Sequence, residues 1–119
     1  MQNPENAERV HLRCLLDTGA DGCLFERSVC DETGHNFDGA GVEGSVTSGV
    51  GNQFLKTRRH TFEISLLKPN SLDAVWTSEP TLVDCAEGLH HPSILGVNEF
   101  LRFFRIDINY PVGVFTLHL

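Results

Sequence analysis

The run Leu12-Arg13-Cys14-Leu15-Leu16 leads straight into Asp17-Thr18-Gly19-Ala20-Asp21. An apolar stretch that short reads as a strand with at least one buried face, and Asp, Thr and Gly at its end are the residues of a tight turn. The chain must therefore bury a strand and, at its very end, hold a carboxylate on a turn. The Asp-Thr-Gly tripeptide occurs once in the chain.

Elsewhere brief apolar runs alternate with glycine and other turn residues, the pattern of an all-β domain. Residues 10–16 read as the first strand, and 23–30 as a short strand followed by a turn of helix. Residues 31–44, rich in Gly, Asp and Asn, read as an exposed, mobile loop. Residues 46–55 read as a hairpin whose tip holds Gly49-Val50-Gly51, with positive φ available on both sides. Phe62, Ile64 and Leu66 alternate with polar neighbours, as in a strand with one buried face. Lys68-Pro69-Asn70-Ser71 is a turn; Ala74-Val75-Trp76 and Thr81-Leu82-Val83 are short strands. Ser93-Ile94-Leu95-Gly96 closes on glycine. Val97, Phe100, Leu101 and Phe104 then fall at helical spacing, which predicts a helix over 97–104. Residues 105–109 and 114–119 form a final hairpin around Tyr110-Pro111-Val112-Gly113.

At 119 residues and 40% hydrophobic content the chain has material for one small core. Residues 1–8 form a polar segment and 9–119 the domain proper. A net charge of -7 speaks against nucleic acid as a partner, since phosphate binding needs a basic face. Lys56, Arg58, Arg59 and His60 read as a solvated strand end. The four cysteines lack Cys-x-x-Cys spacing, so no zinc site is expected. Cys14 reads as a small core residue, and the thiols as reduced. Adjacent His90 and His91 would point to opposite faces of an extended chain, so no metal site is expected there with Cys85 or His35. No serine lies in a Gly-x-Ser-x-Gly context. The polar start lacks a secretory layout, and no apolar run reaches the roughly 18–20 residues of a membrane span. The expectation is a cytoplasmic protein with no membrane partner, provided the chain is not part of a larger one.

Three stretches, in this order, resemble the retropepsin-like aspartic proteases. Leu15-Leu16-Asp17-Thr18-Gly19-Ala20-Asp21 is similar to their active-site loop, with Ala20 as in dimeric retroviral-type members. Gly49-Val50-Gly51 resembles the flap tip, and Ile94-Leu95-Gly96 the segment that braces the active-site loop from behind. The tail 104–113 looks more like the closing hairpin of cellular and bacterial members than of viral ones. Two features depart from the pattern. The strand that normally precedes the one entering the active-site loop is replaced by polar residues 1–8. Val97 stands where viral relatives carry an arginine that pairs with the acid at Asp21, so Asp21 must take another partner.

The resemblance implies a closed, barrel-like acid-protease domain with one short C-terminal helix, active as a homodimer. Asp17 from each subunit would activate the hydrolytic water, with Thr18 tying the two loops together and Gly19 letting the backbone approach substrate. Ala20, Asp21, Gly49, Val50 and Gly51 would bind an extended peptide or protein substrate. Ile94, Leu95 and Gly96 would support the loop, and neither cofactor nor metal is implied. The rival expectation is a non-catalytic module of the same fold that grips peptides or dimerises.

Overall fold

The computed structural model describes residues 1–39, 44–48, 54–89 and 92–119. These residues are mostly β. The strands are β1 (Leu15–Leu16), β2 (Leu24–Glu26), β3 (Gly44–Ser48), β4 (Phe54–Phe62), β5 (Ser65–Leu67), β6 (Ala74–Thr77), β7 (Thr81–Ala86), β8 (Ile94–Leu95), β9 (Arg105–Asn109) and β10 (Val114–His118). One α-helix, α1 (Arg27–Glu32), and one 3-10 turn, Leu101–Phe103, complete the described elements. No described helix is long and apolar enough to cross a membrane.

Six strands form one sheet in the order β1-β8-β2-β7-β4-β3, while β5/β6 and β9/β10 are separate antiparallel hairpins. Among the described residues the sheet is open at β1 and β3. The closed barrel expected from the sequence is thus not formed by these strands. The reason lies in pairing: β5/β6 and β9/β10 bond within themselves instead of bridging the two edges.

Alternation along the long strands builds the core. Phe62 ends β4 fully buried, Val83 and Cys85 lie inward on β7, and Phe25 on β2 meets Phe62 edge-on at 5.4 Å. Between the inward residues of β7, Asp84 points out and accepts from Arg59 Nε at 3.1 Å. Lys56, Arg58, Arg59 and His60 therefore sit in the body of a nine-residue strand, not at a solvated end. Asp38 lies 3.5 Å from Arg58, and His60 is buried with Nε2 donating to the Phe37 carbonyl at 3.2 Å. Burial lowers the His60 pKa.

The segment expected as exposed loop after residue 31 is partly core. Thr33 caps α1, its hydroxyl donating to the Val29 carbonyl at 2.6 Å, and Phe37 is buried with the Arg27 guanidinium 4.8 Å from its ring centre. An isolated Phe in a Gly/Asp/Asn-rich stretch has no period to betray it. The polar segment 1–8 is likewise tied in. Gln2 exchanges backbone bonds with Glu63, and buried Asn3 donates from Nδ2 to the Thr33 carbonyl at 2.9 Å.

The helix predicted over 97–104 is replaced by turns and the 3-10 turn Leu101–Phe103. Its inward face is real, since Phe100 and Leu101 are buried and Phe100 and Phe104 pack on Trp76 at 5.5 and 4.9 Å. Its hydrogen bonds are not helical. Leu101 and Arg102 donate to the carbonyls of Gly96 and Val97, five residues back, while Phe103 and Phe104 donate three residues back.

Candidate active site

β1 and β8 run parallel, with Leu15 opposite Ile94 and Leu16 opposite Leu95. β8 also pairs with β2 on its other side, Ile94 opposite Leu24. The strands that enter and leave the Asp17 turn are therefore held apart by a third strand from far along the chain. At the mouth of this gap sits Asp17.

The turn is fixed at both ends. The Asp17 amide donates to the Leu95 carbonyl at 3.1 Å, and the Ala20 amide donates to the Asp17 carbonyl at 3.1 Å. The Gly19 amide donates to Asp17 Oδ1 at 2.9 Å, an Asx turn that sets the carboxylate's direction. Asp17 is half-buried and Thr18 and Gly19 are exposed. Among the described residues, Asp17 Oδ2 and the Thr18 hydroxyl have no hydrogen-bond partner within the subunit.

Behind the turn, Val97 donates to the Ala20 carbonyl at 3.0 Å and Asn98 to the Asp21 carbonyl at 2.7 Å. These amides are the ones a helix over 97–104 would leave free at its first turn; here the loop consumes them. Asp21 has an exposed side chain and is held through its backbone. Gly96 lies so close beneath the loop that a Cβ there would stand 2.2 Å from the Gly22 carbonyl oxygen and 2.9 Å from that of Ala20. The predicted residues Asp17, Thr18, Gly19, Ala20, Asp21, Ile94, Leu95 and Gly96 are thus brought together. Gly49, Val50 and Gly51 lie outside the described residues, as do His90 and His91. The strands flanking the first group, β3 and β4, pair antiparallel with Ser48 opposite Phe54.

Three supporting residues went unnoticed in the sequence. Glu99 sends its carboxylate under the loop, where Oε2 accepts from the Cys23 amide at 3.1 Å. The Cys23 thiol, which burial pushes up to about 12, accepts from the Gly96 amide at 3.4 Å. Buried Ser93 joins the two sides of the gap. Its carbonyl accepts from Leu15 at 2.9 Å, and its hydroxyl accepts from the Glu26 amide at 3.1 Å. None of these residues belongs to a motif. Only the path of β8 puts them here.

Burial raises the Glu99 pKa above 4.5, so folding favours its protonated form. The stability Glu99 contributes is fully present below the ordinary glutamate value and is lost as pH rises through its folded value. Glu99→Gln, uncharged throughout, should therefore melt above wild type at pH 7, the gap closing near pH ~4. Thermal melts at the two pH values check this; an equal gap at both would contradict the assignment.

Among the described residues no three His, Cys, Asp or Glu side chains converge as metal ligands. No family model matches the chain, and neither a curated protein nor a solved structure matches it.

Proposed function

We propose that the protein is a homodimeric aspartic endopeptidase of the retropepsin-like kind, with Asp17 contributed once by each of two copies. The observation that carries this reading is the Asp17 turn itself. A half-buried carboxylate is clamped at a strand end, with one oxygen held by Gly19 and the other left open.

Two such carboxylates held about 3 Å apart share one proton, because both cannot ionise cheaply. The ionised member takes a proton from a bound water, and that water attacks the scissile carbonyl. The protonated member donates a hydrogen bond to the carbonyl oxygen and then helps protonate the leaving amine. On a two-fold axis one residue thereby serves both roles, and the substrate decides which copy carries the proton. The unengaged Thr18 hydroxyl suits a bond across to the partner loop. An extended peptide would lie along Ala20 and Asp21 as an added strand.

The test is a library of extended peptides at mildly acid pH, with and without a general aspartic-protease inhibitor. Cleavage that the inhibitor blocks, and whose rate per chain falls as dilution yields monomer, is the expected result. Peptide binding without cleavage would instead identify a non-catalytic module. Cleavage that persists per chain through dissociation would remove the shared-site mechanism.

A further inference from the structure

Residues 1–3 are the middle of three adjacent extended segments. Gln2 bridges Arg9 on one side and Glu63 on the other, antiparallel to both. It exchanges backbone bonds of 3.0 and 2.9 Å with Glu63, while Met1 exchanges two of 2.9 Å with Val10. The outer segments are thereby held two strand spacings apart, roughly 9–10 Å. Both run on past Met1, and between them opens a groove of about 520 Å³.

The walls of this groove are free strand edges. Residues 11–14 belong to no ladder, and β5 pairs with β6 alone among the described strands. In-plane backbone direction alternates along a strand. Val10 and Glu63 turn their amides and carbonyls toward residues 1–3. Leu12 on one wall, and Ser65 and Leu67 on the other, therefore turn theirs into the groove. Its floor is apolar, because Met1, Val10, Leu12 and Leu66 pack on the core cluster. An extended residue fills roughly 160 Å³ at strand rise, strand spacing and sheet thickness, so about three fit.

Positive charge closes one end. The Met1 amino group is part-buried, and burial lowers its pKa, with Arg9 acting in the same direction. Glu63 lines the groove, yet no carboxylate is among the groups that act on this amine. A part-buried cation beside a second one calls for an anion.

We propose that this groove binds the carboxyl-terminal tail of another polypeptide, added as a strand in line with residues 1–3. Running antiparallel to both walls, as Gln2 does, the tail brings its last residue to Met1. A ligand that continued further would collide with Met1, so it ends there, and its carboxylate meets the amino group and Arg9. Alternate apolar side chains rest on Leu12 and Leu66, and those between face water. The site shares no residue with the Asp17 turn and does not depend on the proteolytic reading.

The probe is an acetylated hexapeptide alternating threonine and valine, with a free carboxylate, titrated into isotope-labelled protein and followed by amide NMR. Shifts at Leu12, Ser65 and Leu67 are expected below about 1 mM probe. The same peptide ending in a carboxamide should bind roughly 10-fold more weakly, as loss of a charged hydrogen bond implies. Arg9→Gln, at an exposed side chain, should weaken the acid form alone. Ser65→Pro removes an amide that β6 does not use and should weaken both forms about 5-fold. Far-UV circular dichroism confirms that each variant is folded. No shift at about 1 mM, shifts confined to residues 17–21, or equal affinity for acid and carboxamide would each overturn the proposal. So would shifts of the groove amides on raising the protein concentration alone, which would identify a second copy as the occupant. Repeating the titration with Asp17→Asn keeps the probe intact, so failure of the protease reading leaves this test untouched.

Discussion

Asp17→Asn is expected to abolish peptide cleavage, lowering the rate by roughly 10⁴-fold or more, because one substitution removes both acid–base groups of the dimer. The fold should survive. An asparagine Oδ1 still accepts from the Gly19 amide, and the bonds to Leu95 and Ala20 are backbone bonds that the change does not touch. Melting temperature and sedimentation are therefore expected to match wild type. Mixing makes the test sharper. When wild-type and Asp17→Asn chains exchange freely at equal amounts, only dimers with two carboxylates work, so activity should fall to about a quarter. Activity that falls in proportion to the wild-type chains would show that each subunit acts alone.

Gly96→Ala is expected to be the most damaging small substitution in the described chain. The added methyl would stand 2.2 Å from the Gly22 carbonyl oxygen and 2.5 Å from its carbon, both backbone atoms that no rotamer change can clear. Either β8 leaves its place between β1 and β2 or the Asp17 turn lifts away. Overpacking against backbone belongs with the large destabilisations, roughly 4 kcal/mol or more. That corresponds to a loss of about 15 °C in melting temperature for a domain of this size. Gly88→Ala and Gly113→Ala supply the comparison. Each has a positive φ, +82° and +73°, but nothing within 4 Å of an added Cβ. They should cost about 1–2 kcal/mol from backbone strain alone. A Gly96→Ala protein that melts with these two would mean the close approach is relieved cheaply.

These two positions mark how far the sequence reached. Asp17-Thr18-Gly19 was legible because a turn needs its residues next to one another, and an apolar run that ends on Asp and Gly has few other uses. Ile94-Leu95-Gly96 was legible by resemblance alone; nothing in that run says which carbonyl its glycine must clear. The strands β6, β7, β9 and β10 were located because each is a short apolar or alternating run beside a turn signal. The helix over 97–104 failed although its apolar spacing correctly named the buried Phe100 and Leu101. Spacing reports which side chains go inward. It does not report where the amides bond, and those of Val97 and Asn98 serve the Asp17 loop.

By itself the sequence determined what local chemistry can encode: a mostly β chain, a carboxylate on a turn, and a C-terminal hairpin. The tertiary structure alone decided that β8 separates β1 from β2, that Glu99, Cys23 and Ser93 brace the turn, that polar residues 1–8 are bonded to the body, and that the sheet of the described strands stays open. The physical reason is range. Turn and strand preferences act over a few neighbouring residues, whereas the Cys23–Glu99 bond joins positions 76 residues apart. Contacts of that kind form only when the whole chain has closed its core around them.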